Sequence, residues 1–285
     1  MYDERFVDIS GITTRYRRSG QAGRPIVLVH GIGSSVEDWD RNIASLSQSH
    51  IVYALDLVGC GRSGKPADFD YSLENLAAFV LEFMSVLGIE AAHLVGFSLG
   101  GHVALKCALA APERVLSLVL SDPAGIGREA IFNFRLATVR GLGEVLTRPT
   151  RFGMRSLLHA AYHDRSKVTD AMVEERLSLA RLPGAQAAFL KMLRGFTGLR
   201  GFEPKRVAEL QANLPRVSCP ALVIWGKQDR FVPAAHARIL EQRLPDCRVE
   251  IYDRCGHLPQ AEQSERFNRE VGDFVTATER TLQAV

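Results

Sequence analysis

A serine, an aspartate and a histidine, far apart in the chain, each stand where an apolar run gives out, and together those three residue types can carry nucleophilic chemistry. Ser98 lies between glycines in LVGFSLGG, residues 94–101. Asp229 follows the run ALVIW in WGKQDRFVP, and His257 follows CRVEIYD in RCGHLPQAE. A serine hydroxyl is a weak nucleophile until a base takes its proton. A neutral imidazole is such a base, and a carboxylate behind it fixes its tautomer and stabilises its charged form. Asp122, after LSLVLS, is a rival carboxylate. His236, His93 and His102 sit in or beside helical and strand-like text, where surface or packing roles suit them better.

This chemistry demands a scaffold that brings three loops to one edge. G-x-S-x-G at a strand-to-helix turn is a nucleophile elbow, and Ser98 has an apolar run before it and GGHVALKCALAAPERV after it. The runs RFVDI, TTRYRR, PIVLVH, IVYALD, AAHLVGF, LSLVLSD, ALVIWG and CRVEIYD read as strands. Helical stripes alternate with them, in SVEDWDRNIASLSQ, LENLAAFVLEFMSVLG, AAHARILEQRL and a closing segment around residues 262–275. Near-continuous apolar strands between helices predict an α/β fold with a mostly parallel sheet covered on both faces. From residue 123 to 203 the alternation stops and the text is helical throughout. That stretch is expected to be an inserted helical lid, and residues 1–122 and 204–285 the sheet core.

VLVHGIG, DLVGCGRSGKP, VGFSLGG, WGKQDRFVP and CGHLPQAE, in that order, make the chain resemble an α/β-hydrolase fold enzyme over nearly its whole length. The resemblance implies Ser98 as nucleophile, His257 as general base and then acid, and Asp229 as its orienting carboxylate. It also implies an oxyanion hole made by the backbone N–H groups of Ile32 and Leu99. His30 reads as a brace for that loop. No metal or organic cofactor is expected. His159 and His163 lack the central glutamate of a zinc helix. GCGRSG, residues 59–64, lacks a P-loop ending and reads as a turn near the site rim.

AMVEERLSLARLPGAQAAFLKML resembles the lid of the meta-cleavage-product hydrolases, which cut carbon–carbon bonds in dienoate products of aromatic-ring degradation. In that group a lid arginine serves the substrate carboxylate region, and Arg176 holds the similar place; the alternative for it is a surface position. Phe97 stands where that group typically has Asn, Leu258 where it has Trp, and HGIGSS is less glycine-rich than its oxyanion loop. Arg176, Phe97 and Leu258 are the candidate substrate-binding residues.

Composition narrows the classes. With 46% hydrophobic and 24% charged residues, the 285-residue chain has the proportions of a globular protein with a sizeable core. MYDERFVDIS is neither a secretory nor a transit signal, and no apolar run is long enough to span a membrane. Five cysteines without a CxxC pair fit reduced thiols and a cytoplasmic setting. A net charge of +3 does not suggest nucleic acid as a partner. Fourteen Lys and Arg face seven Asp and Glu between residues 123 and 205, so the positive excess lies in the expected lid.

The expectation from sequence is a serine hydrolase of carboxylic esters acting through an acyl-enzyme, on a small molecule with an apolar acyl or aromatic portion. Carbon–carbon hydrolysis of a 2-hydroxy-6-oxo-dienoate is the alternative. A non-enzymatic ligand receptor on the same fold is a further one.

Overall fold

A computed structural model describes residues 3–283. Its strands are β1 (Asp3–Ile9), β2 (Ile12–Ser19), β3 (Pro25–Val29), β4 (Ile51–Leu55), β5 (Ala92–Phe97), β6 (Val115–Ser121), β7 (Thr197–Gly198), β8 (Gly201–Phe202), β9 (Ala221–Gly226) and β10 (Cys247–Tyr252). Eight strands form one sheet in the order β1-β2-β4-β3-β5-β6-β9-β10, and β7 and β8 form a separate short ladder. Only β1 with β2 and β2 with β4 pair antiparallel; the remaining pairs of the large sheet are parallel. This is the α/β architecture that the apolar runs imply.

Parallel strands need crossovers, and the crossovers cover both faces. All residues of β5 and β9 are therefore buried, whereas β10 at the edge is mostly half-exposed. Helices Leu73–Val86 and Leu99–Ala110 are the main crossovers flanking β5. The closing helix Ser264–Gln283 buries Phe267, Val271, Val275 and Thr278, a stripe at helical spacing. It runs past the expected end near residue 275 and is preceded by a separate turn of helix, Pro259–Glu262.

Two expected helices are broken. SVEDWDRNIASLSQ folds as a 3-10 turn, Val36–Trp39, and a single turn of helix, Ile43–Leu46. Charge pairing overrides its helical spacing, because Glu37 is held by Arg15 (2.6 Å) and Arg17 (3.0 Å) of β2 while Asp56 accepts the Val36 N–H at 2.8 Å. EAIFNFRLATVRGLGEVL divides into Phe132–Ala137 and Leu142–Leu146, with Gly141 at φ +80° just before the second. Helices Arg151–Ala161, Asp170–Ala180 and Ala185–Phe196 follow, then β7 and β8, then Pro204–Asn213, all between β6 and β9. Among the described residues no helix is long and apolar enough to cross a membrane.

What the fold does for chemistry is concentrated in the turn from β5 into Leu99–Ala110. A Cβ on Gly96 would lie 2.3 Å from the carbonyl oxygen of Gly100, and one on Gly100 would lie 2.1 Å from that of Val29. Both neighbours are backbone and cannot swing aside. Gly100→Ala is therefore expected to cost about 3 kcal/mol or more. A melting temperature equal to that of the unaltered protein would contradict the close approach.

Candidate active site

Ser98 sits at φ +53°, ψ −116°, a conformation that costs a non-glycine residue about 1–3 kcal/mol. Its N–H is anchored to the Ser121 carbonyl at 2.9 Å, and its own carbonyl accepts from Ala124, Gly101 and His102. The bend turns the hydroxyl away from the helix and towards His257. His257 Nε2 lies 3.1 Å from Ser98 Oγ, and Nδ1 lies 2.7 Å from Asp229 Oδ2. A carboxylate can only accept, so Nδ1 carries the proton and Nε2 is left to take one from the serine. Asp229 Oδ1 accepts the N–H groups of Phe231 (2.7 Å) and Val232 (3.1 Å). All three expected residues thus meet, and only a small fraction of Ser98 and His257 is exposed.

The imidazole is clasped by two rings. Phe231 stacks on it at 4.7 Å with an 8° interplanar angle, and Phe97 leans on it at 5.0 Å. The backbone N–H of His257 donates to the Ala161 carbonyl at 2.7 Å, tying its loop to the end of helix Arg151–Ala161. Glu262 strengthens that tie: Oε1 accepts from Gly256 N–H at 2.6 Å, and Oε2 from His163 and Asp164 N–H at 2.9 and 3.2 Å. Sequence reading missed Glu262 and Phe231.

Ile32 and Leu99 line the small space beside Ser98, together with Ala124, Ile131, Phe134 and Phe231. Their N–H groups enter no backbone hydrogen bond among the described residues and remain available to an oxygen at that point. His30 braces this loop with both nitrogens: Nδ1 at 2.7 Å from the Gly31 carbonyl and Nε2 accepting the Leu57 N–H at 3.0 Å. Asp122, the rival carboxylate, does not reach the imidazole Nδ1, which faces Asp229. It is nonetheless fully buried, and burial together with the charge of Asp229 pushes its carboxyl well above the ordinary range.

A larger cavity of about 390 Å³ adjoins this space through the shared walls Ile32, Ile131 and Phe134. Arg176 lines it, which corrects the surface alternative: its guanidinium pairs with Asp38 Oδ1 at 2.5 Å and bonds Ser34 Oγ. Burial opposes that charge, and Asp38 more than restores it, holding Arg176 above its usual range. Phe97 and Leu258 line neither cavity, contrary to their expected substrate-binding role. Phe97 is turned onto His257, and Leu258 is buried at the start of helix Pro259–Glu262, where its carbonyl accepts the Ala261 and Glu262 N–H groups. His159 and His163 join no converging group of metal-ligand side chains among the described residues. Residues 59–64 form a turn, as their sequence suggested.

A family model for the alpha/beta hydrolase fold matches residues 24–264. The dihydrolipoyllysine-residue acetyltransferase component of the acetoin cleaving system of Cupriavidus necator is 34% identical over 263 residues, 92% of this chain. The chain spans 66% of that relative's length. The 2-hydroxy-6-oxononadienedioate/2-hydroxy-6-oxononatrienedioate hydrolase of Paraburkholderia phymatum is 33% identical over 272 residues, 93% of this chain and 91% of that protein. Among solved structures, a mutant meta-cleavage product hydrolase from Pseudomonas fluorescens complexed with acetates has a TM-score of 0.82 at 30% identity, covering 96% of this chain and 97% of that one.

Three N–H groups depend on one buried carboxylate at Glu262. Glu262→Ala strands them and is expected to lower unfolding stability by about 3 kcal/mol, with Glu262→Gln recovering part of the loss through its amide oxygen. Urea titration reads both; an alanine variant as stable as the parent would count against the clamp.

Proposed function

The chain belongs to the alpha/beta hydrolase fold family, and within it we propose that this hydrolase cleaves a carbon–carbon bond in a 2-hydroxy-6-oxo-dienoate, with Ser98 as nucleophile, His257 as base and Asp229 as its orienting acid. The observation that carries the chemistry is the imidazole bridging Ser98 Oγ and Asp229 beside two N–H groups with no backbone hydrogen bond among the described residues. The substrate class rests on the relatives named for such dienoates and on a partly exposed arginine, Arg176, that lines the adjoining cavity. The ester reading that the sequence alone favours gives way to this one.

In the proposed reaction Ser98 Oγ adds to the 6-oxo carbonyl as His257 Nε2 takes its proton. The Ile32 and Leu99 N–H groups receive the negative oxygen. In the substrate's keto tautomer, in which the 2-hydroxyl proton has moved to C5, reforming the 6-carbonyl breaks the C5–C6 bond, and its electron pair passes through the C3=C4 double bond onto the 2-oxo oxygen. The imidazolium returns the proton there, and water then releases the acyl group from Ser98 by the same base. The helical stretch 123–203 serves as the lid over a core of 1–122 and 204–285, its floor formed around Ile131, Phe134 and Phe189. Arg176 receives the substrate carboxylate region, and the substrate is a small molecule with an apolar acyl end against Phe134, Phe196 and Phe202.

Ester hydrolysis is the second reading, and a specific observation favours it: the charge of Arg176 is already matched by Asp38, while the space at Ser98 is walled mostly by apolar side chains. A yellow dienoate and a series of p-nitrophenyl esters of rising chain length separate the two. Bleaching of the dienoate with higher kcat/KM than any ester is the expected result, and turnover of esters alone would reject carbon–carbon cleavage. Ser98→Ala is expected to lose turnover of the active substrate by at least about 10⁴-fold and to escape fluorophosphonate labelling. Arg176→Gln is expected to raise KM for the dienoate about tenfold or more while leaving a neutral ester little changed. Equal effects on both substrates would remove the arginine from carboxylate recognition.

A further inference from the structure

Two carboxyl groups, not one, lie behind His257. Oxygen atoms of Asp122 and Asp229 and a ring nitrogen of His257 all fall within 4.8 Å of one another. Both side chains are shut off from solvent. Asp122 is held there by an unusual backbone, φ +44° at the end of β6, where its N–H donates to the Ile224 carbonyl at 3.0 Å. Two adjacent buried carboxyl groups cannot both ionise, so the pair retains one proton.

The hydrogen bonds decide which oxygen keeps it. Asp229 accepts three N–H groups, from Phe231, Val232 and His257. Asp122 accepts one, from Gly226 at 2.9 Å. Its other oxygen faces the Ser121 hydroxyl at 3.2 Å, and that hydroxyl is equally near Gln260 Oε1. Donors that favour the ionised form therefore crowd Asp229. We propose that Asp122 is a positioning residue, a neutral carboxylic acid that donates a hydrogen bond to Asp229 and thereby limits how strongly Asp229 draws the Nδ1 proton of His257.

The remaining ionisable neighbours are fixed. The Cys255 thiol is pushed up by burial and stays neutral. Glu262 spends both oxygens on three N–H groups, and Lys167 Nζ donates to the Glu262 carbonyl at 2.7 Å. Phe97 and Phe231 cover the ring faces. With Asp122 donating, the charge on Asp229 is shared between an acid and an imidazole. Without that donor, Asp229 stabilises the imidazolium more, and protonation of His257 should move to higher pH.

The proposal rests on His257 serving Ser98, not on any choice of substrate, so its test uses none. The pH dependence of the fluorophosphonate labelling rate and the NMR titration of the His257 ring are compared in the parent, Asp122→Asn and Asp122→Gly. Both replacements tolerate a positive φ. The asparagine amide can still donate to Asp229 and is also neutral, so its profile is expected to match the parent. The glycine variant is expected to titrate about one pH unit higher, the equivalent of one hydrogen bond. A shift in the asparagine variant would mean that Asp122 carries charge, and an unmoved glycine variant would mean that it only braces β9; either overturns the proposal. Failure of the parent to label would instead remove the Ser98–His257 reading, while the NMR titration still tests the acid pair.

Discussion

The contact on which the site depends is between backbones. Gly96 brings β5 against the following helix, and Gly100 brings that helix against the Val29 carbonyl of β3, so closely that neither position has room for a methyl group. That approach forces Ser98 into a positive φ, and the strain aims its hydroxyl outward instead of along the helix. In an ordinary N-cap the same hydroxyl would bond back to the helix N–H groups and be spent on stability. Here no side-chain cap bond forms, and the oxygen faces an imidazole instead. Local stability is given up for geometry, and the buried strands on either side of β5 offset the loss.

Everything that holds His257 is arranged around this fixed point. Its loop follows β10, an edge strand with half-exposed side chains, which alone would leave the ring loosely placed. Stiffness comes instead from other elements: the Ala161 carbonyl, the Glu262 clamp on residues 163 and 164, and the two phenyl faces. The inserted helices therefore do more than border a cavity. The end of Arg151–Ala161 is part of the mounting of His257, so movement of that helix and alignment of the imidazole are mechanically coupled.

Sequence made the strands and the meeting of Ser98, Asp229 and His257 legible for one physical reason. Buried parallel strands are continuous apolar runs, and loop residues at their ends must share the sheet's edge. Side-chain direction was not legible. Phe97 and Leu258 adjoin Ser98 and His257 in the chain, yet Phe97 turns onto the imidazole and Leu258 into the core, away from both cavities. The helix expected over residues 35–48 was lost to ion pairs with Arg15 and Arg17, partners some twenty residues earlier that periodicity does not register. Glu262 escaped notice because its value lies in three N–H groups that only the folded chain brings to it.

The charge pattern of the inserted helices also changes meaning once partners are assigned. Their positive excess is largely matched locally: Arg151, Arg155 and Arg194 each pair with a carboxylate of the same segment, and Arg176 pairs with Asp38 of the core. An anion approaching Arg176 meets Asp38 as well, so its gain is the difference between two interactions in a mostly buried setting. Such a paired arginine discriminates by shape: a carboxylate that reaches the free edge of the guanidinium adds to the network, while one that must displace Asp38 leaves a buried charge uncompensated. On the proposed dienoate reading, selectivity at this end of the cavity depends on where the substrate's carboxylate falls relative to Ser98, which is a matter of length, more than on whether the substrate is charged.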